Sequence, residues 1–225
     1  MATTDVIRSQ LIDIASLDWA EMLPGVLARR VWADPDGSRV ALFIRFAPGA
    51  ALTRHAHRGD ELAYVLEGTV VDDFSTIMPG TVGYRPDGCT HTVSSPTGAT
   101  VFAVITGSIE GVESGATGGP ESRVFDLPSM GWSDLRPGVK AKPFFADRAA
   151  GRSASLVRFE AGAELPAHRH EGSELVFVIE GTVEDEAGAV RPGMLGFRPD
   201  GCAHTVRSPN GATALAFLWG GVAPI

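Results

Sequence analysis

The sequence repeats itself once, at an offset of 113 residues and without a gap. Residues 33–107 and 146–220 share 38 identities in 75 aligned positions. The longest matching run is YRPDGCTHTVSSPTGAT, which corresponds to FRPDGCAHTVRSPNGAT. Self-similarity of this extent indicates two copies of one domain. The chain of 225 residues is therefore predicted to hold one domain at residues 1–112 and another at residues 113–225. A Gly- and Ser-rich segment at about 107–122 is predicted as the linker.

Each copy has the pattern of an all-β domain. Segments of five to eight residues rich in Val, Ile, Leu and Phe are separated by Gly and Pro, as in VALFIRF, ELAYVLEG and TVFAVIT. Short strands punctuated in this way are typical of a β-sandwich or barrel. The one helical turn that the pattern suggests lies near residues 18–22.

Composition excludes several classes of protein. A net charge of −8 and a pI near 5.2 disfavour binding to nucleic acids or to anionic membranes. No stretch reaches the eighteen or so apolar residues of a membrane span, and Asp5, Asp13 and Asp18 interrupt the region where a targeting signal would lie. Two distant cysteines do not make a disulfide framework. We therefore expect a reduced, cytoplasmic protein with neither nucleic acid nor membrane as a partner.

The six histidines form two sets of three, and each set includes a glutamate at the same spacing, H-x-H-x3-E-x29-H. The members are His55, His57, Glu61 and His91 in the first copy and His168, His170, Glu174 and His204 in the second. Side chains two residues apart on a strand point to the same face, so the first two histidines of each set project together. A tight turn follows at Gly59 or Gly172, so the glutamate after it can return to the same face from the next strand. The third histidine can reach this face only if its own strand lies alongside. The spacing predicts two sites of three imidazoles and one carboxylate.

This ligand set suits Zn, Fe, Ni, Cu or Mn. Four protein ligands on an octahedral ion leave two positions open, as a catalytic metal requires. The same four ligands on tetrahedral zinc complete the coordination shell, as in a structural or sensing site. We expect two divalent transition metals per chain, with Zn or Fe(II) favoured and Mn or Ni as alternatives.

The residues around these ligands resemble the two sequence motifs of the cupin superfamily. The first, G-x5-H-x-H-x3-E-x6-G, is matched by residues 49–68 and 162–181. The second, G-x5-P-x-G-x2-H-x3-N, is matched by residues 80–95 and 193–208, except that Ser replaces the final Asn in both copies. The resemblance implies a bicupin, in which two tandem cupin domains each form a jelly-roll β-sandwich or barrel with the histidines and the glutamate as metal ligands.

Together with a leading W-x4-P-G-V, the spacing resembles the ChrR-type cupin domain, the C-terminal part of certain zinc-dependent anti-sigma factors. Similar domains occur in enzymes that cleave carbon–carbon bonds of dicarbonyl or hydroxyketone substrates with ferrous iron. About fifteen residues precede the first repeat, and they lack the His and Cys of the family's sigma-binding domain. The resemblance implies a sensory or regulatory module without that domain. The alternatives are an Fe(II)-dependent non-haem dioxygenase and, third, a manganese bicupin acting on oxalate-like acids.

Four residues near the motifs have two interpretations each. Cys89 and Cys202, two residues before the last histidine of each set, are candidate redox thiols or small buried fillers. Arg85 and Arg198 are candidates to hold a substrate carboxylate or carbonyl, but anchoring of the Pro-Asp-Gly turn is the simpler interpretation.

The acidic residues at 72–73 and 184–186 are predicted to lie on a solvated hairpin tip rather than to form an acid/base pair. The expected partners are a small-molecule ligand or substrate inside the barrel and a regulatory protein. The chain is expected either to act as a monomer, because it already contains a pair of domains, or to associate as a homodimer.

Overall fold

The computed structural model describes residues 6–116 and 118–225 and divides the chain into two compact units. The first unit consists of the described residues between 17 and 129, and the second of residues 130–225 together with residues 6–16. The sequence repeat predicts a domain boundary between residues 112 and 113. In the structure, the described segment that precedes residue 17 belongs to the second unit, and the described residues from 113 to 129 belong to the first.

The described chain begins with strand β1 (Gln10–Asp13), which belongs to the second unit. A 3-10 turn follows at Ile14–Ser16 and is the only helical element among the described residues. The helical turn predicted near residues 18–22 is wrong, because Ala20–Leu23 is extended and pairs with the next strand. No helix in the described part of the chain is long and apolar enough to cross a membrane.

The first unit is built from a seven-stranded and a five-stranded antiparallel sheet. Its strands are β2 (Ala20–Leu23), β3 (Val26–Ala33), β4 (Arg39–Phe46), β5 (Ala50–Arg58), β6 (Glu61–Gly68), β7 (Val70–Asp72), β8 (Thr76–Ile77), β9 (Val82–Arg85), β10 (Thr90–Ser95), β11 (Ala99–Thr106), β12 (Ser108–Gly111) and β13 (Arg123–Phe125). The strand order is β13-β9-β6-β11-β4-β3-β2 in the larger sheet and β12-β5-β10-β7-β8 in the smaller.

The second unit repeats this plan with fewer chain breaks. Besides β1, its strands are β14 (Ser133–Arg136), β15 (Val139–Asp147), β16 (Arg152–Phe159), β17 (Ala163–Gly181), β18 (Val183–Asp185), β19 (Gly188–Val190), β20 (Met194–Arg198), β21 (Ala203–Ser208) and β22 (Ala212–Pro224). Strand β17 corresponds to β5 and β6 run together, and β22 to β11 and β12. These two long strands connect ten strands into one sheet. The predicted all-β class is confirmed.

Both units bury one face of their strands around a core of branched aliphatic and aromatic side chains. Strand β10 alternates between buried and less buried positions, as a strand with one face on the core does. His91 occupies a buried position of this strand, in line with Val93 and Ser95. The third histidine of the motif therefore lies on the inner face of the sandwich.

Part of the predicted linker is a strand. Residues 108–111 form β12, which pairs with β5 so that Ile109 lies opposite His57 and Gly111 opposite His55. All four residues of β12 are exposed, so no apolar alternation marks the strand in the sequence. Backbone hydrogen bonding to β5, rather than side-chain burial, makes these residues a strand at the sheet edge.

The leading segments of the two repeats are exchanged. The segment that begins the first repeat packs in the second unit, and the segment that begins the second repeat packs in the first unit. Strand β1 pairs with β20, with Leu11 opposite Gly196. Strand β13, at the corresponding place before the second repeat, pairs with β9, with Val124 opposite Gly83. Without these partners β9 and β20 would leave backbone groups unpaired along one edge. Sequence similarity alone assigns both segments to their own repeat, and strand pairing assigns them differently.

We predict that Gly59, in the turn between β5 and β6, does not tolerate a side chain. A Cβ there would lie 2.0 Å from the carbonyl oxygen of Thr106, and the Gly59 φ is +121°. Gly49 is the matched control, because its φ is +80° but nothing lies within 4 Å of an added Cβ. Gly49→Ala should cost about 1–2 kcal/mol for backbone conformation alone, and Gly59→Ala at least about twice as much. Equal losses in denaturant unfolding would contradict this prediction.

Candidate metal centres

Three imidazoles of the first unit converge between neighbouring strands. His55 and His57 lie on β5, and His91 lies on β10 with its backbone opposite His55. Their candidate ligand atoms lie within 4.8 Å of one another. The Nε2 atoms of His57 and His91 are 3.0 Å apart. All three side chains are buried, so the structure brings together the three histidines that the spacing singled out.

The second unit reproduces the cluster with the other three histidines. His168 and His170 lie on β17 and His204 on β21. The Nε2 atom of His204 is 2.9 Å from that of His170 and 3.1 Å from that of His168. His168 is the least buried of the three.

Backbone carbonyls determine which nitrogen of the outer histidines faces the cluster. The Nδ1 atom of His55 is 2.8 Å from the carbonyl oxygen of Thr53, and that of His168 is 2.8 Å from the carbonyl oxygen of Pro166. A carbonyl oxygen only accepts, so each Nδ1 carries the proton and each Nε2 presents a lone pair. In the second cluster Asp185 also accepts from Nδ1 of His204, so the Nε2 atoms of His168 and His204 both present lone pairs, 3.1 Å apart, which repel one another unless a cation lies between them. The residues of both clusters therefore fit a bound metal ion.

Burial keeps most of these imidazoles uncharged. It lowers the pKa of His57 and of His168, and it lowers the pKa of His91 to about 2 and that of His170 to about 3. Neutral imidazole is the form that binds a metal, so these histidines are available as ligands at neutral pH without losing a proton.

The two glutamates lie at the edge of the clusters. Glu61 Oε2 is 4.0 Å from His57 Nε2 and 3.5 Å from Arg85 Nη1. Glu174 Oε2 is 3.8 Å from His170 Nε2 and 3.7 Å from Arg198 Nε. Burial raises the pKa of Glu174. Each carboxylate is thus shared between the histidines and an arginine, and its role as fourth ligand stays a prediction.

Arg85 and Arg198 are almost fully buried. Arg85 Nη2 donates to Asp72 Oδ2 at 3.1 Å, and Arg198 Nη2 donates to Asp185 Oδ2 at 3.2 Å. Each guanidinium therefore connects the glutamate to a second carboxylate. Gly83 leaves space for this arrangement, because a Cβ at that position would lie 2.5 Å from Arg85 Nη1.

The prediction that Asp72 and Asp185 lie on a solvated hairpin tip is wrong. Their side chains are buried, and Asp185 Oδ2 is 3.2 Å from His204 Nδ1, while Asp72 Oδ2 is 3.8 Å from His91 Nδ1. The hairpin turns inward because Asp72 Oδ1 also accepts from the backbone N–H groups of its own turn. Asp185 accepts a hydrogen bond from His204 and so orients that ring. Asp72 places its charge near His91 without a hydrogen bond, because His91 Nδ1 has no hydrogen-bond partner.

Two serines that the sequence reasoning missed complete these networks. Ser122 Oγ donates to Asp72 Oδ2 at 2.8 Å, and Ser9 Oγ donates to Asp185 Oδ2 at 2.7 Å. Burial opposes ionisation of Asp185, but hydrogen bonds from His204 and Ser9 and the charge of Arg198 hold its pKa below the usual range. The sequence did contain a sign of this shared role, because the 113-residue offset of the repeat also relates Ser9 to Ser122.

Cys89 and Cys202 are fully buried beside the clusters. Burial raises the pKa of Cys89 to about 11 and also raises the pKa of Cys202. The thiolate is the reactive form of cysteine, and a raised pKa suppresses it. These observations favour the packing role, and a redox role for either thiol stays a prediction.

A cavity of about 260 Å³ adjoins the first cluster. Its wall is largely apolar and includes Leu42, Phe46, Ala63, Val93 and Val101. The polar side chains in the wall are Thr53, His55, Glu61 and Arg85. A small molecule in this cavity would therefore contact one histidine of the cluster and the Glu61–Arg85 pair.

Both repeats match one family model. Residues 8–110 and residues 120–221 each match the ChrR cupin-like domain. The resemblance predicted from the motifs is confirmed in both copies. No curated protein matches the chain.

Solved structures of an oxalate decarboxylase from Bacillus subtilis are similar in fold. A mutant of that enzyme aligns with a TM-score of 0.74 at 16% identity, over 100% of this chain and 81% of that chain. The enzyme at pH 4.6 aligns with a TM-score of 0.70 at 16% identity, over 100% and 80% of the two chains. A structure of the enzyme studied for its Mn(II) centres aligns with a TM-score of 0.71 at 16% identity, over 100% and 81%. The likeness confirms the predicted fold of two tandem jelly-roll domains.

We predict that acid destabilises the metal-free protein through its buried histidines. An unfolded histidine has a pKa near 6.5, whereas in the folded chain burial lowers the pKa of His91 to about 2 and that of His170 to about 3. As the pH falls below about 6.5, the unfolded chain binds more protons than the folded one. The free energy of unfolding should therefore decrease by up to about 1.4 kcal/mol per pH unit for each histidine.

The measurement is denaturant unfolding after chelation, at a series of pH values. Replacing His91 and His170 together with Gln should flatten the curve below pH 6.5. An unchanged slope in that double variant would show that other groups cause the acid sensitivity.

We predict that Ser122→Ala weakens the first metal centre and leaves the second unaffected. Loss of a hydrogen bond to a buried carboxylate should cost about 1.5–3 kcal/mol of stability, and displacement of the Asp72 charge, which lies 3.8 Å from His91 Nδ1, should lower metal affinity about tenfold. In ¹¹³Cd NMR, only the resonance of the first centre should move. Ser9→Ala is the matched control and should move only the other resonance, while Ser122→Thr should restore the first. Movement of both resonances in either variant would contradict the assignment.

Proposed function

We propose that this chain, which belongs to the ChrR cupin-like domain family and carries the domain twice, is a metal-dependent bicupin enzyme. The reaction that we infer is Fe(II)-dependent dioxygenation of a small dicarbonyl or hydroxyketone. The proposed ligands in the first unit are His55, His57 and His91, with Glu61 as a fourth ligand or as a base. The corresponding histidines and Glu174 are proposed to hold a second metal.

The cavity beside the first cluster carries this proposal. It connects the candidate metal ligand His55 to a space large enough for an organic molecule. A purely structural metal is normally closed off by its protein ligands, whereas a catalytic metal keeps a position open toward substrate. An adjoining cavity is therefore the feature expected of a centre that binds a substrate.

The spacing of the imidazoles supports an octahedral ion. With metal–nitrogen bonds of about 2.1 Å, two ligand atoms at a right angle lie about 3.0 Å apart, and at the tetrahedral angle about 3.4 Å apart. In the first cluster the Nε2 atoms of His57 and His91 are 3.0 Å apart, and in the second cluster two Nε2 pairs are 2.9 and 3.1 Å apart. These separations are nearer to the octahedral value than to the tetrahedral one, and an octahedral ion has positions left over for substrate, as in non-haem iron oxygenases.

The chain's own residues would bind and deprotonate the substrate. A bound ferrous ion would supply Lewis acidity toward the substrate oxygens and electrons for dioxygen. Glu61 lies at the polar end of the cavity and would accept the acidic proton of a dicarbonyl. Arg85 would hold that carboxylate in place through its contact with Glu61 Oε2. The apolar wall would exclude water from the reacting atoms.

Oxalate-like chemistry fits this cavity less well. The solved structures of similar fold include a manganese-containing oxalate decarboxylase, which supports a divalent metal here and keeps manganese as an alternative. Oxalate carries two carboxylates within a few ångströms, and the wall offers Arg85 as its one cationic side chain. That arginine is already engaged with Glu61 and Asp72.

A sensory or regulatory module of the ChrR type is the second candidate, and the family match favours it. With both thiols buried, the signal would be a ligand at the metal rather than oxidation of Cys89 or Cys202. This function requires a tightly bound zinc and a regulatory protein partner. An iron-loaded protein that consumes dioxygen would argue against it.

We predict two metal ions per chain in protein prepared without added metal. His57→Ala and His170→Ala should each remove one ion and leave the other, because each cluster has its own ligands. Elemental analysis of the two variants and the wild type measures this. Loss of both ions in either single variant would contradict independent centres.

The oxygenase proposal is tested by loading the protein with Fe(II) under anaerobic conditions and measuring dioxygen uptake on adding β-diketones or α-hydroxyketones. Uptake that needs both iron and substrate, and that falls at least about a hundredfold in Glu61→Gln, supports the proposal. Zinc-loaded protein is the control and should show none. Absence of uptake with fully iron-loaded protein would leave the sensory function as the better account.

A further inference from the structure

The cavity of the first unit has one polar end and an otherwise apolar wall. His55, Glu61 and Arg85 lie at the polar end, beside the metal cluster. The remaining wall is formed mainly by aliphatic and aromatic side chains from several strands of the unit. A ligand that matches this wall carries its oxygen atoms at one end and an apolar body behind them.

The volume limits the size of that body. A cavity of about 150 Å³ lined by apolar side chains accommodates benzene, which has six non-hydrogen atoms. In proportion, the 260 Å³ cavity accommodates about ten non-hydrogen atoms. The part of the occupant held inside the cavity is therefore larger than a two-carbon acid, and a longer chain would extend out of it.

The charges at the polar end set the charge of the ligand. Arg85 is positive and contacts two carboxylates, Glu61 at 3.5 Å and Asp72 at 3.1 Å, so these three groups sum to one negative charge. With a divalent ion on the histidines, the ion and these three groups carry one positive charge, and the buried carboxylate of Asp60 acts on His57 from outside the cavity wall. A single negative charge on the ligand balances that positive charge. A second negative charge on the ligand would lie against the apolar wall without a partner, and burying an unpaired charge is unfavourable in free energy.

Arg85 has a buried donor that remains available at this end. Among the described residues, Arg85 Nε has no hydrogen-bond partner, although its side chain is almost fully buried. A buried donor without an acceptor is unfavourable, and an oxygen of a bound anion would satisfy it.

We propose that the first unit binds a singly charged organic anion of about ten non-hydrogen atoms, with its oxygens at the metal and Arg85 and its apolar body in the cavity. The assignment rests on the proposed function only in requiring a divalent metal on the histidines. It names the substrate class of that centre and excludes small dianions.

The test uses the full chain loaded with zinc, which binds without oxidative turnover. Isothermal titration with butyrate, hexanoate, octanoate, decanoate and dodecanoate should show affinity rising by about fourfold for each added methylene. The rise should stop near octanoate, which has ten non-hydrogen atoms. Octanol, which lacks the charge, should bind at least about tenfold more weakly than octanoate, and oxalate and succinate should bind more weakly still.

Ala63 offers a variant that narrows the cavity. The corresponding residue of the second unit is Val176, so the same strand position already accommodates valine in this fold. Ala63→Val should weaken octanoate binding at least about tenfold and leave butyrate binding within about twofold. The matched control is Ala214→Val in the second unit, where the first unit has Val101, and it should change neither affinity. Melting temperature and zinc content of both variants show that they are folded and loaded.

The outcomes separate this inference from the oxygenase proposal. Octanoate binding in the pattern described, with no dioxygen uptake in the iron-loaded protein, supports the ligand class and removes the oxygenase. Dioxygen uptake without any dependence of affinity on chain length overturns the ligand class alone. Oxalate binding as tightly as octanoate, or no binding of any monocarboxylate to zinc-loaded protein, also overturns it.

Discussion

The gathering of three imidazoles in each unit is the constraint on which the rest of the structure depends. Their candidate ligand atoms lie within 4.8 Å of one another inside a sandwich, where burial lowers the pKa of His91 to about 2 and that of His170 to about 3. Such an arrangement is unfavourable by itself and becomes favourable around a cation. The strand pairing that places His91 opposite His55 is therefore also the pairing that creates a metal centre.

Behind the imidazoles, each unit has a polar network that ends on a segment from elsewhere in the chain. Arg85 connects Glu61 to Asp72, and Ser122 donates to Asp72 from the segment that leads into the second repeat. The second unit uses Ser9 in the same way. Each leading strand thus extends a sheet, and the serine just before it supplies a hydroxyl to a buried carboxylate. The fold and the candidate centre share these residues, so their stabilities should be linked.

The environment of the first centre favours chemistry on a bound organic molecule over redox signalling through cysteine. An apolar cavity adjoins the candidate ligands, while Cys89 is buried with its pKa raised to about 11. Similarity in fold to an oxalate decarboxylase at 16% identity leaves the substrate open. The composition of the cavity wall, with one arginine already paired to two carboxylates, is more informative about the ligand than that likeness.

The duplication, the all-β class and the set of six histidines can be deduced from the residues alone, because identity at a constant offset and alternation along a strand are local properties. The sequence did not reveal that Asp72 is buried, that Ser122 bonds to it, or that residues 108–111 form a strand. Short acidic and polar segments have the same composition on a solvated tip and in a buried network. The folded chain distinguishes a solvated tip from a buried network, because long-range strand pairing selects which polar groups lose water and which partners then satisfy them.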